Sequence, residues 1–240
     1  MEYVDKLTCE QVRENLELVK AQVSEIQKNR ALGEGEECLT LLATKTVSPE
    51  QMNFVARECG HRLMGENRVQ ELCDKYDRLD REAIEMHFIG YLQSNKVRQI
   101  IDKVDMIHSV DRLSLALEID RRARERGIRM DVLCEINIGR EAEKGGVMPE
   151  QAMEFCLKLA ELHGLRLRGI MTMAPKLENE SDYRSYFEET RHIYEAIRDR
   201  GIPDAKFDTL SMGMSESYRM AAECGSNMIR VGSAVFGKRL

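Results

Sequence analysis

The sequence predicts an α/β protein, a single (β/α)8 barrel of the TIM type with an additional N-terminal helix. Three observations predict it. Short apolar runs alternate with helical patterns from end to end, the signature of repeated βα units around a parallel sheet. Eight strand candidates can be counted, and eight parallel strands of this length favour a closed barrel over an open doubly wound sheet. The 240 residues suit one such barrel, and no low-complexity linker or composition shift divides them. One domain over residues 1–240 is therefore expected, with residues 1–31 as a helix packing on the barrel.

Taken in order, the opening helix spans about Lys6 to Arg30 and carries Leu7, Val12, Leu16, Val19, Val23 and Ile26 at helical spacing. The glycines of Gly33-Glu-Gly35 end it. The first strand is Cys38–Thr44. Ser48-Pro49-Glu50-Gln51 then reads as an N-cap, a proline at the first helical position and a capping-box glutamine. Further strands are expected near Arg62–Gly65, Met86–Gly90, Met106–Ser109, Asp131–Asn137, Leu167–Met173, Lys206–Thr209 and Asn227–Val231. Helices fit between them at Arg68–Arg78, Val97–Asp102, Arg112–Arg126, Pro149–Leu162, Ser181–Arg200 and Glu216–Cys224. The sequence stops nine residues after Val231, too soon for a full eighth helix. The opening helix is expected to cover the gap left on the eighth strand.

Composition narrows the function classes. A net charge of -6 with interspersed signs argues against nucleic acid or an anionic membrane as the main partner. The longest apolar runs are far too short to span a bilayer, and no basic N-terminal region precedes an apolar stretch as in a secretory signal. The seven cysteines include no pair at C-x-x-C spacing and mostly sit in apolar patterns, which suits reduced core residues in the cytoplasm. Five scattered histidines offer no metal-binding spacing, so no metal site is expected.

The residues that carry chemistry sit at strand ends. Lys45 ends the first apolar run, at the mouth where such barrels keep their sites; its amine could form a Schiff base with an aldehyde. Asn67, in Gly65-Glu66-Asn67, could donate to a ring oxygen or cap the following helix. In the segment from His87 to Lys96, Gly90 would let the backbone approach a ligand, with Gln93, Asn95 and Lys96 either as polar contacts or, for Asn95 (or Ser94) and Lys96, as a helix cap and a surface residue. His87 reads as a hydrogen-bonded core residue. Asp111 is expected to cap the helix at Arg112, and the loop Glu143-Lys-Gly-Gly146 either closes over the mouth or simply connects. Met171 and Met173 read as packing of the cavity wall.

Two Gly/Ser turns form the strongest local signal. Ser211 to Ser215 is expected at the start of a helix, and Gly232-Ser233 follows the last strand. Together they suit a phosphate held between the seventh and eighth strand ends. Arg230 stands two residues ahead of the second turn and needs an acceptor in the barrel mouth. Opposite a pyridine nitrogen it would keep that nitrogen unprotonated and damp carbanion chemistry. Lysine, arginine and phosphate cradle together suggest a phosphorylated aldehyde, with pyridoxal 5'-phosphate as the first candidate.

With these segments in order, the chain resembles the pyridoxal phosphate homeostasis protein family, small proteins related to the barrel domain of alanine racemase. Gly65-Glu-Asn67, His87-Phe-Ile-Gly90, Leu92-Gln93, Asn95-Lys96, Leu210-Ser-Met-Gly-Met-Ser215, Val231-Gly232 and Phe236-Gly237 carry the resemblance. It implies Lys45 as the lysine of the Schiff base and Arg230 as the partner of the pyridine nitrogen. It also implies Ser215, with the Gly232 and Ser233 backbone, as the phosphate site, and Asn67 as a residue in contact with the ligand. The chain departs from the family pattern at Ser217, where aspartate is frequent, at Ala43-Thr44 before the lysine, and at Arg68, where tyrosine is common.

The resemblance implies a monomeric, cytoplasmic protein that holds pyridoxal 5'-phosphate without turnover, with apo-enzymes requiring the cofactor as candidate partners. An amino-acid racemase is the alternative. Such a racemase takes a second base, a tyrosine, from an additional β domain, for which a sequence ending at Leu240 leaves no room. A third reading is a Schiff-base aldolase or other phosphate-handling barrel that uses no cofactor.

Overall fold

Eight parallel strands close on themselves in sequence order in the computed structural model, which describes residues 5–29, 37–203 and 205–237. They are β1 (Leu39–Ala43), β2 (Leu63–Glu66), β3 (Glu85–Phe88), β4 (Met106–Val110), β5 (Met130–Ile136), β6 (Leu165–Thr172), β7 (Thr209–Met214) and β8 (Met228–Val231). Pairing of Leu39 with Met228 through Leu42 with Val231 joins the last strand to the first and leaves no edge.

The helices are α1 (Cys9–Asn29), α2 (Pro49–Glu58), α3 (Val69–Tyr76), α4 (Val97–Ile100), α5 (Leu113–Glu125), α6 (Ala152–Ala160), α7 (Tyr183–Arg200), α8 (Tyr218–Glu223) and α9 (Ser233–Phe236). Short 3-10 turns at Ser94–Lys96 and Pro149–Gln151 lead into α4 and α6. The start of α2 follows the sequence signal, because the Ser48 hydroxyl accepts from the Gln51 N–H at 3.1 Å. The Gln51 side chain does not close the box. It donates instead to the Leu7 carbonyl at 2.8 Å, while the Asp5 carboxylate takes the Ser48 N–H.

Most of the core lies between strands and helices, as the packing of amphipathic faces on a closed sheet requires. The lumen holds two smaller apolar clusters. One is Leu41, Leu63, Ile89 and Met228; the other is Met106, Leu133 and Met171. Along α1, Val12, Leu16, Val19 and Val23 are buried, each contributing about 1.5–3 kcal/mol of hydrophobic burial. Asn15 donates to the Val235 carbonyl of α9, and the Tyr218 hydroxyl of α8 meets Gln22. The glycines expected to end this helix, Gly33 and Gly35, lie outside the described residues.

The largest departure from the sequence expectation is β7. A strand at Lys206–Thr209 and a helix at Glu216–Cys224, with Ser211 to Ser215 at its start, were expected, but the strand runs from Thr209 to Met214, so Ser211 lies within it, and α8 begins at Tyr218. Ser and Gly read as turn formers, yet both are also small enough for a crowded lumen. Gly213 sits at φ +92°, where a side chain would be strained and a Cβ would strike Ala221. The pairing of β7 with β8 shifts register across this stretch, so the glycine marks a bulge within the strand. The short α9 was not anticipated at all.

Candidate functional site

A cavity of about 420 Å³ opens at the C-terminal ends of the strands, within the usual range for small-molecule sites. Asn67 after β2, Ser215 after β7, Arg230 on β8, and Gly232 and Ser233 after β8 all line it. Ile89, Met173 and Met214 supply apolar wall, and two lysines, Lys144 and Lys176, stand at the rim loops.

Arg230 is 4% exposed. Its Nη1 donates to the Ser211 hydroxyl at 2.7 Å and its Nη2 to the Thr172 carbonyl at 2.8 Å, which fixes the guanidinium plane. Burial lowers its pKa to about 10, against the attraction of Glu135, so it stays charged at neutral pH. Glu135, on β5, is pushed up to about 7, mainly by burial and then by the Asp111 charge, with Arg230 and Arg112 opposing.

Ser215 is the pivot of the anion-receptive wall. Its hydroxyl oxygen accepts from the backbone N–H of Gly232 at 3.1 Å and of Ala234 at 3.2 Å. With both lone pairs engaged, the hydroxyl has its own proton left to donate into the cavity. The serine that ends the first Gly/Ser segment and the Gly232-Ser233 pair therefore meet in one wall, built by β7, β8 and the start of α9.

Lys45 and Ser211 are placed differently from the expectation. Lys45 lines a neighbouring crevice with Asp5, Thr46 and Phe236, separated from the cavity by Ala43, Gly232 and Ser233, which line both spaces. Ser211 does not reach the cavity. It lies fully buried within β7 and acts beneath Arg230 as acceptor for its Nη1.

The turn carrying Lys45 is held from both sides. Lys75, fully buried on α3, donates to the Thr44 carbonyl at 2.9 Å, to Glu66 at 2.6 Å and to Glu71 at 2.7 Å. Glu71 in turn accepts from the Thr46 N–H. Thr46 sits at φ +67°, a left-handed conformation that a β-branched residue adopts only under constraint. Burial raises the pKa of Glu66 although Lys75 pulls it down. The i,i+4 spacing of Glu71 and Lys75 was readable, but such a pair ordinarily marks a solvated helix face.

Other expectations resolve plainly. Asn67 does not cap α3, whose N-cap is Arg68 without a side-chain bond. Gly90 admits protein backbone and not a ligand, because a Cβ there would collide with the backbone of Asn67. Gln93, Asn95 and Lys96 stand away from the cavity lining. Asp111 forms an ion pair with Arg112 at 2.6 Å and does not cap α5. His87 is a buried, hydrogen-bonded residue, with His108 at 2.9 Å and Glu85 at 3.2 Å. The glycine-rich loop brings Lys144 into the cavity wall and is tied down by Asn137, which donates to the Glu141 carbonyl at 2.8 Å. Of the two methionines after Gly169, Met171 packs the lumen and Met173 faces the cavity.

Comparison with known proteins places this arrangement. The alanine racemase N-terminal domain matches residues 45–239. The pyridoxal phosphate homeostasis protein of Aquifex aeolicus is 44% identical over 211 residues, covering 86% of this chain and 90% of that protein. The crystal structure of a Bifidobacterium adolescentis protein superposes with a TM-score of 0.89 at 32% identity, over 98% of both chains. PipY of Synechococcus elongatus with pyridoxal phosphate bound gives a TM-score of 0.80 at 28% identity, over 94% of this chain and all of that one. No helix among the described residues is long and apolar enough to cross a membrane. By sequence and by fold, the chain belongs to the pyridoxal phosphate homeostasis proteins, within the alanine racemase N-terminal domain family.

Proposed function

We propose that this protein binds pyridoxal 5'-phosphate in the barrel mouth, holds it as a Schiff base on Lys45 and gives it up to apo-enzymes that need it, without turnover of its own. The observation that carries the reading is Arg230, a buried guanidinium in the lining of a cavity whose adjoining wall offers the Ser215 hydroxyl. A relative of the same family holds this ligand in its structure.

The residues fit such a group. The cavity volume suits a small molecule, a cation lies at one side and an anion-receptive turn at the other. The Ser215 hydroxyl and the Ser233 backbone would hold the phosphate, with Gly232, whose N–H goes to Ser215, closing the wall beside it; Asn67 would meet the ring, and Arg230 would face the ring nitrogen. Lys45 would turn across the shared wall of Ala43 and Gly232. Its amine would supply the nitrogen of the Schiff base, a linkage formed with loss of one water and reversed by hydrolysis.

The chemistry the bound group supplies elsewhere is electron withdrawal through a protonated ring nitrogen. Arg230 does not give up its proton at neutral pH, so it keeps that nitrogen unprotonated and weakens the sink. Storage without catalysis follows from this residue. Seven cysteines without a disulfide fit action in the reducing cytoplasm, and the protein is read as a monomer.

Titration of the purified protein with pyridoxal 5'-phosphate, followed by visible absorbance, tests the proposal. Saturable colour at one equivalent per chain is expected, lost in Lys45→Ala with the fold retained by circular dichroism. Material that stays colourless and indifferent to the added aldehyde would overturn it. Arg230→Gln should shift the spectrum or loosen retention; an unchanged spectrum would remove that residue from the ring.

A further inference from the structure

A line of buried polar groups crosses the barrel beneath the cavity. Arg230 Nη1 donates to the Ser211 hydroxyl at 2.7 Å. The same hydroxyl lies 3.5 Å from His108 Nδ1. Nε2 of His108 is 2.9 Å from His87 Nδ1, and Nε2 of His87 is 3.2 Å from a Glu85 carboxylate oxygen. These residues come from β8, β7, β4 and β3, so the line spans the lumen from one wall to the other. Ser211 and His108 are fully buried and His87 is 1% exposed, whereas the Glu85 side chain is 52% exposed at the start of β3.

Donor and acceptor counting fixes its direction. The Glu85 carboxyl is held below its usual pKa, first by the His87 hydrogen bond, so it is an acceptor. His87 Nε2 therefore carries hydrogen. At the other end, Arg230 is a donor only, so the Ser211 oxygen accepts and its own hydrogen is left for His108 Nδ1. Burial, the largest cause, keeps His108 neutral, so with Nδ1 accepting its Nε2 carries the hydrogen and His87 Nδ1 accepts it. The Ser211 hydroxyl then donates to His108 and accepts from Arg230. Ser211, His108 and His87 each use one donor and one acceptor in the line, between a donor at Arg230 and an acceptor at Glu85.

We propose that Glu85, His87, His108 and Ser211 form a one-way hydrogen-bond chain that orients Arg230 toward the cavity, with Glu85 its remote positioning residue. The chain begins at a cation and ends at a carboxylate, so its dipoles all align between them. Loss of the Glu85 acceptor frees His87 to turn its remaining proton the other way. Reversal along the chain then takes the donated proton away from His108, and Ser211 loses its fixed orientation under Arg230. The consequence for ligand retention rests on the binding reading above; the direction of the chain does not.

The direct test is nitrogen-15 NMR of ligand-free protein labelled at histidine. His108 should appear at neutral pH as a neutral ring with hydrogen on Nε2, and His87 should carry hydrogen on Nε2 with its Nδ1 accepting. Hydrogen on Nδ1 of either ring, or an imidazolium at either position, would overturn the chain. A second test compares Glu85→Leu, which lacks the acceptor, with Glu85→Gln, which keeps one. In the Leu variant the tautomer pattern should be lost and release of pyridoxal 5'-phosphate should quicken about fivefold, the scale of one ordinary hydrogen bond. The Gln variant should restore both to within about twofold. Equal behaviour of the two variants, with the parent's tautomers in each, would overturn the role given to Glu85. Failure of the unaltered protein to bind the ligand would contradict the binding reading and leave the NMR result to decide the chain.

Discussion

Replacing Glu135 with glutamine should make the ligand-free protein more stable at pH 8 and nearly unchanged in acid. The carboxyl is 6% exposed and its pKa stands at about 7 against an ordinary 4.5, chiefly through burial. Between these values the folded protein keeps a proton that the unfolded chain has lost. Stability therefore falls as pH rises from 4.5 to about 7, and is level with respect to this group above that. At about 1.4 kcal/mol for each tenfold in proton affinity, the ionised carboxylate costs about 3 kcal/mol at pH 8. Glutamine resembles the protonated form and escapes that cost. Urea denaturation of parent and Glu135→Gln at pH 8 and pH 5 should show a gain of about 3 kcal/mol at the first and under about 1 kcal/mol at the second. A gain independent of pH, or a loss at pH 8, would refute the assignment of a strained carboxylate beside Arg230.

Three further outcomes are expected. Lys75→Met should cost about 3–5 kcal/mol, because Glu66 and Glu71 are left buried without their cation; adding Glu66→Gln and Glu71→Gln should recover most of it. Chemical denaturation checks this, and a cost below about 1 kcal/mol for the single change would contradict a charged cluster. Gly90→Ala should lower stability by about 2–4 kcal/mol through collision with the Asn67 backbone, and a neutral thermal melt would contradict the close approach. Deleting residues 1–31 should abolish cooperative unfolding or solubility, because α1 buries Val12, Leu16, Val19 and Val23 against the barrel. A well-folded truncation would show that the helix is dispensable.

The barrel was legible because its strands are buried on both faces and read as apolar runs, each followed by a helical pattern. Arg230 and the turn after it were legible for a related reason: a cation and a Gly-Ser pair at the end of an apolar run have few structural uses there. Ser211 was misjudged because a small polar residue looks the same in a turn and in a crowded lumen. The Glu85-to-Arg230 line was not legible, since its hydrogen bonds join residues 21 and 103 positions apart that only the closed sheet brings together. His87 was recognised as a core residue, but its partner His108 carried no local signal. The seating of Lys45 in the crevice beside the cavity likewise depends on the turn that Lys75 and Glu71 clamp, a long-range contact without a motif.

Mass spectrometry after borohydride reduction of the protein loaded with pyridoxal 5'-phosphate most directly tests where the aldehyde is held. The cavity wall includes Lys144 and Lys176, whereas Lys45 lines the adjoining crevice, so the three give distinct answers. A single pyridoxyl adduct on the peptide containing Lys45 is the predicted result. An adduct on Lys144 or Lys176, or none on any lysine, would contradict the account.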